Sequence, residues 1–219
     1  MKVLALPVSF IEALDDTSRT SLMNVVNEAY GRALKKYQVI LSNRIKGLET
    51  LFSDLGFHNN IDDCILFVSF DQKTGICSSF DHVFKEVEKT YGARWFKPVN
   101  IRPGPNVSIS FGHATATAGF KPIKKENRDY MLTCFTSFRS GAGKELLAKS
   151  MRYVENYLGA QKLFATVIVE HELVDYYVKV HNFREIHTQL IKKEFVSEAL
   201  EEGVNATRDF HLATLVKEL

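Results

Sequence analysis

Seven residues past the middle of the chain, Phe138-Arg139-Ser140-Gly141-Ala142-Gly143-Lys144, combine two closely spaced glycines with two cations. An apolar stretch, Tyr130-Met131-Leu132-Thr133-Cys134-Phe135, precedes them, and an amphipathic run follows. They therefore read as the turn between a strand and the first turn of a helix. A helix start carries unpaired backbone N–H groups with partial positive charge. Glycines let an anion approach that backbone, and Arg139 and Lys144 add formal charge. The chemistry this implies is the holding of a phosphate or diphosphate. A plain glycine-containing turn has the same pattern, and the glycines alone do not separate the two. Two nucleotide motifs fail here. In G-x-x-x-x-G-K-[ST], Phe138 stands at the first glycine and Glu145 at the hydroxyl position. In G-x-G-x-x-G, Leu146 stands at the third glycine.

Other chemistries have less to stand on. The seven histidines are scattered, and His181 and His187 have no cysteine partners, so no metal site is expected. Cys64, Cys77 and Cys134 read as free thiols in a reducing compartment, cytoplasm or nucleus. Cys134, inside an apolar strand, should be inert. With 28 basic and 26 acidic residues the formal charge is +2, which leaves no cationic excess for nucleic acid. No apolar run approaches the length of a membrane span. At 219 residues, 45% hydrophobic and 25% charged, the chain fits a single globular domain, 1–219.

The elements that must position the glycine loop follow from periodicity. Lys2–Phe10 reads as a strand, not a secretory leader. Asp16-Thr17-Ser18 precedes a helical face of Leu22, Val25, Val26, Ala29 and Tyr30. A second helix is expected over Asn43–Leu55, with Ile45, Leu48, Leu51, Phe52 and Leu55 inward. A strand follows over Cys64–Phe70 and a turn over Asp71–Gly75. Phe80, Val83, Phe84 and Val87 have helical spacing. Arg102–Asn106 reads as a loop, Val107–Phe120 as a long strand, Pro122–Asn127 as a turn and Asp129–Thr136 as a strand. Lys144–Leu158 is a helix that Gly159 ends. Leu163–Val169 is so apolar that burial on both faces is expected. This strand–helix–strand unit should be parallel with a right-handed crossover. A helix over Glu172–Val180 and strands near Arg184–Ile191 and Asp209–Leu215 complete an α/β (α+β) chain.

Gly141-x-Gly143 with Leu146-Leu147, Gly159-Ala160, the strand Leu163–Val169 and Tyr177…Asn182-Phe183-Arg184-Glu185 together resemble the GNAT superfamily of acetyl-CoA-dependent N-acetyltransferases. The resemblance covers Val107–Leu219 and extends to the helix around Leu22–Tyr30. There are departures. Phe138 occupies the place of the motif's first Gln or Arg, with Arg139 one place late. Asn182 replaces a glycine, a mild change because Asn tolerates the left-handed conformation. The Tyr177–Phe183 interval is one residue longer than the family's, so strict register would put Val178 in the tyrosine's place.

The resemblance implies a mixed, mainly antiparallel sheet with one parallel pair that splays to admit acetyl-CoA as cosubstrate. Backbone at Thr133, Cys134 and Phe135 would hold the pantetheine arm and acetyl carbonyl, and Phe138, Arg139, Ser140, Gly141, Ala142, Gly143 and Lys144 the diphosphate. An amine, on a small molecule or a peptide, would attack the thioester directly. Tyr177 is the candidate acid for the leaving thiolate. Glu170 and His171 are candidates for the amine proton, with His113 a further base candidate on a neighbouring strand. A non-catalytic CoA-binding protein of the same fold is the alternative. The segment 76–105 is unusually long, and Phe80, Phe84, Trp95 and Phe96 argue that it is ordered. It would either cover the acceptor side of the cleft or form an extra packing layer or dimer contact. The terminal strand Phe210–Val216 is the expected edge for a homodimer.

Overall fold

Successive residues of Lys2–Pro7 (β1) pack alternately into two different cores, and the four central residues are all buried. Leu4 and Leu6 join an apolar layer on one face of the sheet, Val3 and Ala5 a layer on the other. The computed structural model describes residues 1–57, 61–77, 80–90, 92–100, 102–104, 107–124, 128–200 and 204–219. After β1 come helices α1 (Val8–Glu12) and α2 (Asp16–Tyr37), the latter capped by the Asp15 side chain on the Ser18 amide. A four-residue helix α3 (Leu51–Asp54) leads to β2 (Ile65–Phe70). Next are α4 (Phe80–Val83), β3 (Phe84–Thr90), β4 (Ala93–Pro98), β5 (Ala116–Lys124) and β6 (Asp129–Ser137). The C-terminal half runs α5 (Ala142–Leu158), β7 (Lys162–Ile168), α6 (Val174–His181), β8 (Arg184–Ile191), α7 (Val196–Ala199) and β9 (Phe210–Glu218).

The nine strands form one sheet in the order β3-β4-β1-β2-β5-β6-β7-β9-β8. Pairing is antiparallel except for β6–β7 and β1–β4. The expected mixed, mainly antiparallel sheet is therefore present, with a second parallel pairing contributed by an extra hairpin. Helix α2 covers one face through Leu22, Val25 and Val26. Helix α5 covers the other through Leu146, Leu147 and Val154. Each such buried side chain stabilises the fold by about 1.5–3 kcal/mol against exposure.

Several expectations are corrected. Residues 43–50 are loop, not helix. The Asn27 amide bonds both the N–H and the C=O of Ile45 at 2.8 Å, and Asp54 accepts from the Lys46 amide at 2.8 Å, so side chains take the groups a helix would pair internally. The strand expected from Val107 begins at Ala116, because the amides of Ile109 and Phe111 are bound by the hydroxyls of Ser18 and Ser21 on α2. Strand β1 ends at Pro7, and only one helical turn precedes β3. Strand β5 runs on through Pro122 to Lys124; the remainder of the expected turn, 125–127, lies outside the described residues, as do Pro105 and Asn106.

The long 76–105 segment adds β3 and β4 to the sheet beyond β1. Trp95 is fully buried there, edge-on to Phe67 at 5.6 Å and stacked on Tyr153 at 5.0 Å. It is a packing layer, and none of its described residues reaches the cleft described below. Strand β9 lies inside the sheet, paired to β7 and β8, so its backbone cannot extend a sheet across a dimer.

Candidate functional site

Strands β6 and β7 pair only at Asp129–Lys162, Tyr130–Leu163 and Met131–Phe164. Beyond that point β6 stays on β5 up to Ser137, and β7 stays on β9 up to Ile168. The cause of the divergence is in β6. Thr117 faces Thr136 and Gly119 faces Thr133, so two residues, Cys134 and Phe135, oppose Ala118. Such a bulge bends its strand and increases twist. Cys134 takes φ +48°, a left-handed conformation that costs a non-glycine residue about 1–2 kcal/mol. The Thr117 hydroxyl holds it, donating to the Cys134 carbonyl at 2.6 Å, with the Thr136 hydroxyl at 2.7 Å. Gly119 is required opposite, since a Cβ there would stand 2.9 Å from Phe57 and 3.1 Å from Thr133. The sequence signal for this bulge was a glycine inside a strand, and the reading of Val107–Phe120 as one regular strand passed over it.

The gap opens into a cavity of about 760 Å³ between α2 on one face and α5 and α6 on the other. Along strand β7 Leu163, Ala165 and Val167 are buried, while the alternate residues Phe164, Thr166 and Ile168 are less so, and Thr166 is exposed. Burial on both faces was expected of this strand. One face lies on the cleft instead.

At the open end of the gap Gly141 takes φ +79° and starts α5. The Ser137 hydroxyl donates to the Arg139 carbonyl at 2.9 Å and accepts from the Gly143 amide at 3.0 Å, which ties the loop into a closed turn. One loop amide is thus occupied. Those of Ser140, Gly141 and Lys144 have no protein acceptor among the described residues. Gly143 leaves no room for a side chain, a Cβ falling 2.8 Å from that of Ser137 and 3.3 Å from the Phe135 ring. Thr133, Cys134, Phe135, Gly141 and Lys144 line the cavity. Phe138, Arg139, Ser140, Ala142 and Gly143 do not. Phe138 packs on the α2-side core under the Arg32 guanidinium, and Arg139 pairs with Asp71. A smaller depression of about 320 Å³ beside α5 is lined by Lys144, Glu145, Lys149 and Arg152, with Lys149 paired to Glu145.

Tyr177 is buried and lines the cavity, edge-on to Phe135 at 6.0 Å and to Phe183 at 5.5 Å. The chain between Tyr177 and Phe183 forms the end of α6. In a Schellman cap the N–H after the left-handed residue closes a six-residue turn onto the helix. Here Asn182 is left-handed, and the N–H groups of Asn182 and Phe183 both reach the Tyr177 carbonyl, five and six positions back. The last turn is one residue wider, so Tyr177, not Val178, is the residue that the Phe183 amide bonds. Burial, with the Tyr30 and Tyr176 phenols alongside, pushes the Tyr177 phenol well above its ordinary range, so it stays protonated.

His171 also lines the cavity. Its ring stacks on Tyr37 at 5.1 Å, and its Nε2 is enclosed without a hydrogen-bond partner. Burial draws the imidazole below its ordinary value against the pull of Glu170. Glu170 is not brought to the cavity. Its carboxylate accepts from the His211 amide at 2.9 Å and meets the His211 ring at 3.0 Å. Burial raises its pKa, and these bonds more than offset that, leaving it lowered. His113 sits in an exposed turn away from the cleft. Burial takes the Cys134 thiol up to about 11, which fits the inert role expected of it. Residue reasoning did not single out Tyr176, whose hydroxyl meets the buried His181 Nε2 at 3.1 Å, nor Arg44 and Lys121, which line the cavity beneath α2.

Known proteins share this chain's family and its fold. The profile of the family described as sporulation protein RMD6 matches residues 1–219. Sporulation protein RMD6 of Saccharomyces cerevisiae is 30% identical over 221 residues, 99% of this chain and 95% of that protein. Among solved structures, spermidine N-acetyltransferase from Vibrio cholerae in complex with CoA and spermine aligns with TM-score 0.55 at 11% identity, covering 99% of this chain and 95% of that one. The GNAT-family acetyltransferase from Streptococcus pneumoniae aligns with TM-score 0.53 at 12% identity over 100% of both chains. Ribosomal-protein-alanine N-acetyltransferase from Brucella melitensis gives 0.52 at 13% identity, covering 92% of this chain and 96% of that one. At these identities the likeness to the solved structures is one of fold.

Proposed function

This chain belongs to the sporulation protein RMD6 family, and from that premise we propose that it transfers an acetyl group from acetyl-CoA to a primary amine by direct attack. The observation that carries the proposal is the separation of β6 from β7 beyond Met131 and Phe164, with unpaired loop amides at the open end. A strand edge without a partner can hold an extended amide-bearing arm as a neighbouring strand would. A helix start with Lys144 beside it suits a diphosphate. Arg152, along α5 beside Lys144, would take further phosphate charge. Acetyl-CoA would supply the activated thioester and be consumed as cosubstrate.

The chain's own groups divide the remaining work. The bulged backbone at Cys134–Phe135 would orient the acetyl carbonyl and stabilise negative charge on its oxygen. Holding both reactants in the closed part of the cleft supplies proximity. His171 would take the amine proton, directly or through one water. Tyr177 would give its proton to the departing thiolate and recover one from solvent, so proton gain and loss balance.

Calorimetry with acetyl-CoA, CoA and ATP tests the binding. Thiol release over a panel of amines tests turnover. Tyr177→Phe should lower kcat by roughly 10²-fold with acetyl-CoA affinity little changed. Tight CoA binding with no thiol release for any amine would select the non-catalytic alternative.

A further inference from the structure

A histidine that moves a proton is ordinarily oriented by a hydrogen bond to its other ring nitrogen. The His171 ring makes no hydrogen bond among the described residues, and its Nε2 is enclosed without a partner. The neighbouring carboxylate of Glu170 is taken up by the amide and ring of His211. Packing must therefore orient the imidazole. Tyr37, the last residue of α2, stacks its ring on that of His171 at 5.1 Å and 24°. That spacing suits a stacked aromatic pair. Tyr37 does not line the cavity, so it supports the imidazole from outside it. Tyr37 is itself fixed. Gln38 ends α2 at φ +53°, with its N–H on the Leu34 carbonyl and its own carbonyl accepting from the Thr207 hydroxyl at 2.6 Å. The Thr207 amide bonds the Val39 carbonyl at 2.9 Å. The Tyr37 hydroxyl meets Lys36 Nζ at 2.7 Å and Glu172 Oε2 at 3.2 Å, and Lys36 reaches the same carboxylate at 3.3 Å. Lys36 and Glu172 are exposed, so these polar ties hold little. The half-buried ring is the effective part.

We propose that Tyr37 is a positioning residue of the transfer, whose ring holds the His171 imidazole at the cavity wall and shields one face of it from water without touching either reactant; this rests on the acetyltransferase reading above. Among the described residues the other titratable groups around His171 are Glu170 and Glu172 on its own turn, Lys36 on α2, His211 on β9, and Tyr176 and Tyr177 on α6, which share the cavity wall. Burial draws the imidazole down and outweighs Glu170, which pulls it up. Removing the ring that helps to bury it should therefore let its pKa climb toward the ordinary 6.5.

An NMR titration of the His171 ring, assigned from the spectrum of His171→Gln, tests the shielding without any turnover. The unaltered protein and Tyr37→Phe should titrate together, below 6.5, and Tyr37→Ala should titrate at higher pH than both. Thiol release tests the positioning. Tyr37→Ala should lower kcat by about tenfold, leave acceptor KM and acetyl-CoA affinity within about twofold, and move the acid limb of kcat to higher pH. Tyr37→Phe, which keeps the ring, should keep both kcat and the limb, and Glu172→Gln should leave them unchanged. Tyr37→Leu keeps apolar bulk without the flat face; it stands in if the alanine variant does not fold, with the same loss of kcat expected. An unmoved titration in Tyr37→Ala, or an unmoved kcat in either variant, would overturn the inference and leave the activity standing. Equal losses in Tyr37→Phe and Tyr37→Ala would also overturn it, because the hydroxyl would then be the working part. Thiol release with no amine at all would overturn the acetyltransferase reading, and the inference with it, whatever the titration shows.

Discussion

In the proposed reaction two side chains at the cleft would meet opposite proton demands, and their surroundings suit each. Tyr177 is pushed up by burial and by neighbouring phenols, so it holds a proton to donate throughout the neutral range. His171 is drawn down by burial, so it is neutral there and can accept one. For a base, activity is lost as pH falls through its pKa in the bound complex. A lowered His171 pKa therefore moves that loss below the ordinary imidazole value of 6.5. The kcat profile should be flat through neutrality and fall only on the acid side. His171→Gln should remove that acid limb while lowering kcat. An unchanged acid limb in this variant would remove His171 from the proton path. Glu170, by contrast, stood beside His171 in sequence yet faces His211.

At the scale of elements, the loop before α5 and the bulge in β6 are two halves of one device. The bulge parts the strands, and the loop closes the open end through Ser137, Arg139 and Gly143. Its two glycines are needed for different reasons. Gly141 has open space around it and a positive φ of 79°, so Gly141→Ala should cost only backbone strain, about 1 kcal/mol in thermal or urea unfolding. Gly143 has an ordinary φ but no space, and Gly143→Ala would drive Ser137 and Phe135 aside. Its main effect should be on acetyl-CoA affinity, weakened by about tenfold or more in calorimetry, since the displaced groups shape the loop and the cleft wall. Equal effects of the two changes on affinity would contradict this division.

For the whole molecule, the nine-stranded sheet places the cleft between β6 and β7 and the extra β3–β4 hairpin at one edge, beyond β1. The hairpin's anchor is Trp95, wedged against Phe67 and Tyr153 in the α5-side core. Trp95→Ala should destabilise the protein by about 3–5 kcal/mol. Acceptor KM in the folded variant, measured below its midpoint temperature, should not move. A shift in acceptor preference would show that the segment reaches the cleft after all.

Much of this was legible in the residues because it is local. The helix of Leu147, Met151 and Val154 has a repeat that only one helical face satisfies, and Gly159 ends it at φ +66° as expected. The parallel β6–β7 unit followed from two apolar strands joined by that helix. What stayed hidden depends on partners distant in sequence. Ile45 sits in a loop because Asn27 offers its backbone two hydrogen bonds, a competition that no periodicity within residues 43–55 reveals. Leu163–Val169 looked buried on both sides because an apolar strand gives no sign that its neighbour bends away. Tyr177's place goes with one widened helical turn, closed by the amides of Asn182 and Phe183, with Phe183 buried in the core. Local pattern therefore set most of the helices and strands, while packing between remote segments decided the exceptions, where the sheet opens and which side chains face the opening.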